Sequence, residues 1–304
     1  MRHTKQQTIR REVHIEGIGL HSGKPASVFI KPALPSTGLV FVRTDLQDPV
    51  TIPATCEFVT QTKMATTLGR GKTHISTVEH LLSALKLLGI DNAMIEVNGP
   101  EVPIMDGSAA PFCELLLEAG IYEQAASRKV AVLKKKIEIR NGDKIAMIEP
   151  ANRLHVRAKV EWSHPKIGAQ DYSFTVDHSD FREIAMARTF GFLKDVEQLK
   201  AAGLALGGSL DNAVVLDETR ILNPNGLRYS NEFARHKVLD AIGDLALAPM
   251  AILGDVHLFK AGHELHAELV AEIFSDPNNY EVKNAEDLSF VAETVIAGPS
   301  WVRA

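Results

Sequence analysis

The sequence has little of what would announce a class outright. Only two cysteines, Cys56 and Cys113, occur among 304 residues, and they lack CxxC spacing. That excludes a disulfide framework and a thiolate metal site, and it fits a reducing compartment, the cytoplasm. Basic residues do not predominate: 33 Lys and Arg against 38 Asp and Glu leave a formal charge of -5. With no dense basic run to line a groove, nucleic acid is excluded as a partner. Long apolar runs are missing too. The longest, "LALAPMAILG", is about half a membrane span, and the N-terminal "MRHTKQQTIRREVHIEG" has no apolar core, so neither a transmembrane segment nor a signal peptide is expected. No HExxH motif is present, so a metal hydrolase built on this chain must gather its ligands from separate segments.

What is present is an ordinary globular composition, 45% hydrophobic and 23% charged, over a length that allows two modest cores. The first third reads as short alternating strands such as "ASVFIKP" and "GLVFVRTD". A helix after Ser76, a strand "NAMIEVNG" and a helix in "SAAPFCELLLEAGI" follow. Polar residues 125–129 read as a linker between a first domain, 1–124, and a second, 130–304. The second part repeats the style, with strands in "KKKIEIRNGDKIAMIEP" and "RLHVRAKVEW", a helix near 179–187, a strand "NAVVLD" and a long helix near 231–248. The glycine-rich "GLALGGSLDN" reads as a connection or small insert and lacks the Lys-Ser/Thr ending of a phosphate loop. No residue-by-residue repeat recurs at a fixed period. The expected fold is α+β, with two similar halves.

The stretch "NEFARHKVLDAIGDLALA" predicts a helix capped by Asn231. Val238, Ile242 and Leu245 make its apolar stripe, while His236, Asp240 and Asp244 follow one another on a different face. His and Asp at i and i+4 can reach one divalent cation, and a surface ion pair is the alternative. Asp244, a turn further along, can orient another side chain. In "STVEHLLSALKLLG", Glu79 either closes a capping box with Ser76 or acts as a general base; glutamine would serve the first role and fail the second. Taken alone, His263 in "FKAGHELH" and His21 in "GIGLHSGK" read as loop histidines beside glycine. A zinc hydrolase needs three protein ligands, a base and a proton donor. His80, His236 and Asp240 would fill the ligand set, Glu79 the base and His263 the acid.

The words "GIGLHSGK", "STVEHLLSAL", "EVPIMDGSAAPF", "ARTFGF", "LGGSLDNAVV", "RHKVLDAIGDLAL" and "KAGH", running in order from residue 17 to 263, resemble the UDP-3-O-acyl-N-acetylglucosamine deacetylase family, zinc amidases of lipid A biosynthesis in Gram-negative bacteria. The resemblance implies zinc on His80, His236 and Asp240, with iron(II) the other cation such a set accepts. It implies Glu79 as the base, protonated His263 as oxyanion partner and acid, Asp244 as the group orienting His263, and Thr189 as a hydrogen-bond donor to the tetrahedral oxygen. It maps an acyl passage onto Phe190, Phe192, Gly208 and Ser209. It puts Lys237, Lys144 and Lys260 near diphosphate or sugar, and Trp162 against the uracil. It also implies two α+β domains with helical layers packed together around the active site, a small insert in each, and a monomer. Beyond about residue 271 the resemblance fades, and the tail receives no role. The competing expectations are a zinc amidase acting on another acylated sugar and a metal-free binding protein.

Overall fold

The structure, a computed structural model, describes residues 3–177 and 179–288. After β1 (Lys5–Ile9) come two hairpins, β2 (Val13–Ile18) with β3 (Pro25–Pro32) and β4 (Leu39–Arg43) with β5 (Val50–Pro53). A small sheet follows, built from β6 (Val59–Gln61), β7 (Thr67–Arg70) and β8 (Thr73–Ile75). Helix α1 (Glu79–Leu87), strand β9 (Ala93–Asn98) and helix α2 (Ala110–Ala119) come next, and β10 (Ile121–Ser127) returns to pair with β1. Strand β11 (Lys129–Leu133) opens the second half. Its hairpins are β12 (Ile137–Asn141) with β13 (Lys144–Glu149) and β14 (Leu154–Trp162) with β15 (Gly168–Thr175). Between these and the next long helix stand α3 (Arg182–Ala185), β16 (Phe190–Phe192), α4 (Leu193–Ala201) and β17 (Val214–Leu216). Helix α5 (Glu232–Leu245), strand β18 (Ala251–Phe259), helix α6 (His263–Ser275) and strand β19 (Tyr280–Asn284) end the described chain.

The two halves are wound alike. In the first, β9 lies between an antiparallel β3 and a parallel β4, each with its hairpin partner outside it. In the second, β18 is antiparallel to β13 and parallel to β14, again with the hairpin partners outside. Each half then carries an insert before a helix, a central strand and a second helix: β6 to β8 in the first, α3 to β17 in the second. Alternation produces the sheets' two-sidedness. Val28 and Ile30 on β3, and Val156, Ala158 and Val160 on β14, point inward while their neighbours do not. Residues 125–129 are not a loop, since Ala125 to Ser127 end β10 and Lys129 begins β11. Residues 280–284, in the tail given no role, form β19, which pairs with β11.

One apolar core runs through both halves, joining Leu81, Leu82 and Leu85 of α1 to Val238, Leu239, Ile242 and Leu245 of α5. The two helices pack directly against each other. At their crossing a Cβ on Gly243 would fall inside the van der Waals radius of the Glu79 carbonyl oxygen. Glycine within a helix costs about 1 kcal/mol relative to alanine, and here it admits the backbone of α1. Alanine at 243 therefore has opposite local and tertiary effects. We expect Gly243→Ala to lower stability by roughly 1–3 kcal/mol through overpacking, as read from the denaturant midpoint. A rise in stability would show that the helices are not held at this distance.

Candidate active site

Side chains from both halves meet in a cavity of about 470 Å³. Its polar end begins where α1 begins. Val78 offers no side-chain cap, and Thr77 is left-handed at φ 58°, a strained conformation for a β-branched residue. Thr77 is held there by donating its hydroxyl to Glu101 Oε1 at 2.9 Å, and Glu101 also accepts the N–H groups of His21 and Ser22, each at 2.8 Å. This sharp entry makes Glu79 the first helical residue. The capping box with Ser76 does not form, because the Ser76 hydroxyl bonds the Thr67 hydroxyl (2.9 Å) and Glu79 Oε2 accepts the N–H of Thr66 (3.0 Å). Nor does the Asn231 side chain cap α5; its Oδ1 accepts from Arg235 Nε at 2.8 Å.

His80, His236 and Asp240 are all buried, and each turns one ligand atom to a common point, these atoms lying within 4.8 Å of one another. His236 Nε2 is 3.2 Å from Asp240 Oδ1, and His80 Nε2 is 3.6 Å from the same oxygen. Asp240 Oδ1 has no hydrogen-bond partner among the described residues. A buried carboxylate oxygen facing two imidazole nitrogens without a bond is a costly arrangement unless a cation completes it. The tautomer agrees, since His236 Nδ1 donates to the Ala187 carbonyl (3.0 Å) and leaves Nε2 its lone pair. Burial pushes the His236 imidazole down to about 3 against the pull of Asp240, so it is neutral at pH 7. The donors fit a divalent cation bound by two nitrogens and one oxygen, with a coordination position left open. The other Asp240 oxygen, Oδ2, accepts from Lys237 Nζ at 2.8 Å.

A second buried constellation adjoins the first. Asp244 Oδ2 accepts from His263 Nδ1 and His266 Nδ1, each at 2.8 Å, and its Oδ1 accepts the Thr66 hydroxyl at 2.5 Å. Burial alone would lower the His263 pKa, but the charge and hydrogen bond of Asp244, with Glu79 and Asp240 behind them, outweigh it and raise it to about 9, so the ring is a cation at neutral pH. Asp244 is correspondingly held down to about 2 despite its burial. Glu79 moves the other way: burial raises its carboxyl above the ordinary range, with the nearby His263 and His80 opposing that rise. A carboxylate ready to take a proton and an imidazolium ready to give one thus face the same cavity.

Thr189, Phe190, Phe192, Gly208, Ser209 and Lys237 line this cavity together with Glu79, His80, His236, Asp240 and His263. Its apolar part is the second-half insert, where Phe190 and Phe192 of β16 meet Leu193, Val196 and Leu199 of α4. Lys144, Lys260 and Trp162 do not line it. Lys144 is exposed, Lys260 pairs with Asp143 (3.0 Å) and Glu161 (3.1 Å), and Trp162 packs edge-on behind Phe190 with ring centres 5.3 Å apart. His21, read from sequence as a loop histidine, is buried and forms part of the wall. Reasoning from sequence missed Thr66, Glu101 and His266. Only His266 left a trace, its i, i+3 spacing from His263 on one helix face.

The chain matches the family model described as UDP-3-O-acyl N-acetylglycosamine deacetylase (LpxC) over residues 6–275. It is 49% identical over 278 residues to a protein of Myxococcus xanthus (strain DK1622) named UDP-3-O-acyl-N-acetylglucosamine deacetylase, covering 91% of this chain and 88% of that one. Proteins of the same name from Campylobacter fetus subsp. fetus (strain 82-40) and Pasteurella multocida (strain Pm70) are 47% and 46% identical. Those matches cover 93% of this chain in each case and 96% and 94% of the relatives. A match of this extent, over a core and a cavity assembled from both halves, places the chain in the UDP-3-O-acyl N-acetylglycosamine deacetylase family.

Proposed function

We propose that this protein hydrolyses the N-acetyl group of UDP-3-O-acyl-N-acetylglucosamine and releases acetate, a step of lipid A biosynthesis, with a zinc ion held by His80, His236 and Asp240. The observation that carries this reading is the meeting of three metal-type donors, a buried carboxylate and a buried imidazolium at the polar end of an otherwise apolar cavity. The relatives' names supply the substrate. Iron(II) is the other cation that such a donor set holds. Among the described residues no helix is long and apolar enough to cross a membrane. We assign the protein to the cytoplasm and take it to act as a monomer of two domains joined near residues 125–129.

When bound, the cation supplies Lewis acidity, lowering the pKa of a water ligand and polarising the amide carbonyl. The protein's own groups do the rest. Glu79, anchored by the Thr66 N–H, takes the proton of the attacking water. His263, kept cationic by Asp244, faces the oxygen on which negative charge develops and then gives its proton to the departing amine. Thr189, which lines the same cavity, donates a hydrogen bond to the same oxygen. Lys237, held by Asp240, adds positive charge on the substrate side. Phe190, Phe192 and the apolar face of α4 seat the acyl chain, and Gly208 and Ser209 lie along its course. Lys144, Lys260 and Trp162, which stand outside the cavity, are assigned to the nucleotide end of the substrate on resemblance alone.

Three measurements test this reading. Glutamine at 79 keeps an oxygen for the Thr66 N–H but cannot accept a proton. Glu79→Gln should therefore retain its zinc, measured by metal analysis, while acetate release falls by about 10²–10⁴ fold; normal turnover would remove Glu79 from the chemistry. His263 has a folded pKa of about 9, above its ordinary 6.5. Activity that needs the cation should hold through neutral pH and fall as the pH rises through about 9, the same range in which the stability contributed by this group is lost. In Asp244→Asn the alkaline limb of kcat/KM should move down toward the ordinary 6.5; an unmoved limb would dissociate Asp244 from His263. Finally, each methylene removed from the acyl chain should cost up to about 0.8 kcal/mol, roughly fourfold in kcat/KM, while the chain still fills the apolar wall. Independence of chain length would favour a different acylated sugar.

A further inference from the structure

A second crevice opens at the far end of the helix pair, where α1 and α5 finish, and it shares no lining residue with the catalytic cavity. It has a volume of about 380 Å³ and lies between the turn after β3, the end of α1, the β10–β11 junction and the loop leading into β18. Four charged residues line it: Lys86, Arg128, Lys129 and Asp91. Three cations against one anion make the crevice net positive in a chain whose formal charge is -5. The single anion is already fully engaged, because Asp91 Oδ1 accepts from Arg128 Nε (2.8 Å) and Oδ2 accepts the N–H of Gln7 (2.9 Å). Arg128 is only 4% exposed, yet its Nη1 has no hydrogen-bond partner among the described residues. Half-buried Lys86, in the last turn of α1, makes no hydrogen bond or ion pair with the described residues. Burial, reinforced by Arg128, presses the Lys86 ammonium down to about 8 against the pull of Asp91 and Asp177. The Thr55 hydroxyl, on the same wall, does not cap the turn that follows it.

A guanidinium with an N–H left without an acceptor among the described residues, and a lysine that makes no hydrogen bond or ion pair with them, line one concave space and offer the donors that an oxyanion completes. The excess of positive side chains on its lining favours an anion, and a fork beside a point charge suits tetrahedral phosphate better than a planar carboxylate. The volume leaves room for a small organic body behind the phosphoryl group. We propose that this crevice is a second ligand site, binding a phosphate-bearing small molecule whose phosphoryl oxygens lie between Lys86 and Arg128.

The test is calorimetric titration of the metal-loaded protein with inorganic phosphate, glucose 6-phosphate and acetate at constant ionic strength. Phosphate should bind saturably. Tighter binding of the sugar phosphate would identify an ester as the natural occupant, and equal binding the free ion. In Lys86→Gln the affinity for phosphate should fall at least roughly tenfold, the loss of one charge-assisted hydrogen bond. Arg128→Lys, which keeps a cation for Asp91 but loses the fork, should weaken binding as well. Lys237→Gln separates this site from the catalytic cavity and should leave the affinity unchanged. Thermal unfolding of Lys86→Gln at or above the wild-type temperature would show that lost binding is not lost folding. Absence of phosphate binding, equal binding of acetate, an unchanged affinity in Lys86→Gln, or a loss confined to Lys237→Gln would each overturn the proposal.

Discussion

The close crossing of α1 and α5 is the constraint on which the rest depends. His80 belongs to one helix, His236 and Asp240 to the other, and their shared focus exists because Gly243 lets the Glu79 carbonyl approach the α5 backbone. The same contact places Glu79, at the first turn of α1, near Asp240 and Asp244, which flank Gly243 on α5. The apolar faces supply the force that holds the crossing, since Leu81, Leu82 and Leu85 bury against Val238, Leu239 and Ile242 in one continuous core. The polar groups are carried into the interior by this packing rather than creating it.

Burying so many ionisable groups is unfavourable unless each is answered. Asp244 is answered three times, by His263, His266 and Thr66. Asp240 is answered on one oxygen by Lys237 and, among the described residues, left open on the other. That asymmetry is the one the proposed roles of the two aspartates require. Two aspartates one helical turn apart are set in different surroundings by their neighbours: Asp244 sustains a cation on His263, while Asp240 turns one unbonded oxygen to His80 and His236, where the proposed metal would sit. The strained Thr77, pinned by Glu101, belongs to the same design, because it turns the chain sharply enough to place a carboxylate at the very start of a helix.

The paired winding of the halves explains where each specialisation lies. The shared frame of two hairpins, a central strand and two helices supplies the helix crossing, and the inserts between hairpins and helix are free to differ. The first became a small three-stranded sheet. The second became the phenylalanine-bearing strand β16 and helix α4 that line the apolar side of the cavity. Backbone bonds from Leu206 and Gly207 to His21 and Leu20 tie this second insert to the first half (3.1 and 3.0 Å), so the cavity wall is continuous across the two.

Much of this was legible in the sequence. Period-two alternation marked the strands, and the apolar stripe marked α5. The quoted family words carried His80, His236, Asp240 and Glu79, because these residues sit in short local patterns with chemical meaning. Local pattern misled where a distant partner competed. The Ser76 capping box gave way to the Thr66 N–H, Asn231 turned to Arg235, and residues 125–129 were drawn into strands by β1 and β19. His21, Thr66 and Glu101 carry no readable local sign of function, since each acquires its place from a contact made across the fold, and His266 shows only its spacing from His263. The residue types and their spacing along each helix were thus determined by sequence alone. Their convergence, their charge states and the positive crevice at the far end were decided by tertiary structure, because burial and distance between remote segments set which groups must be answered and by what.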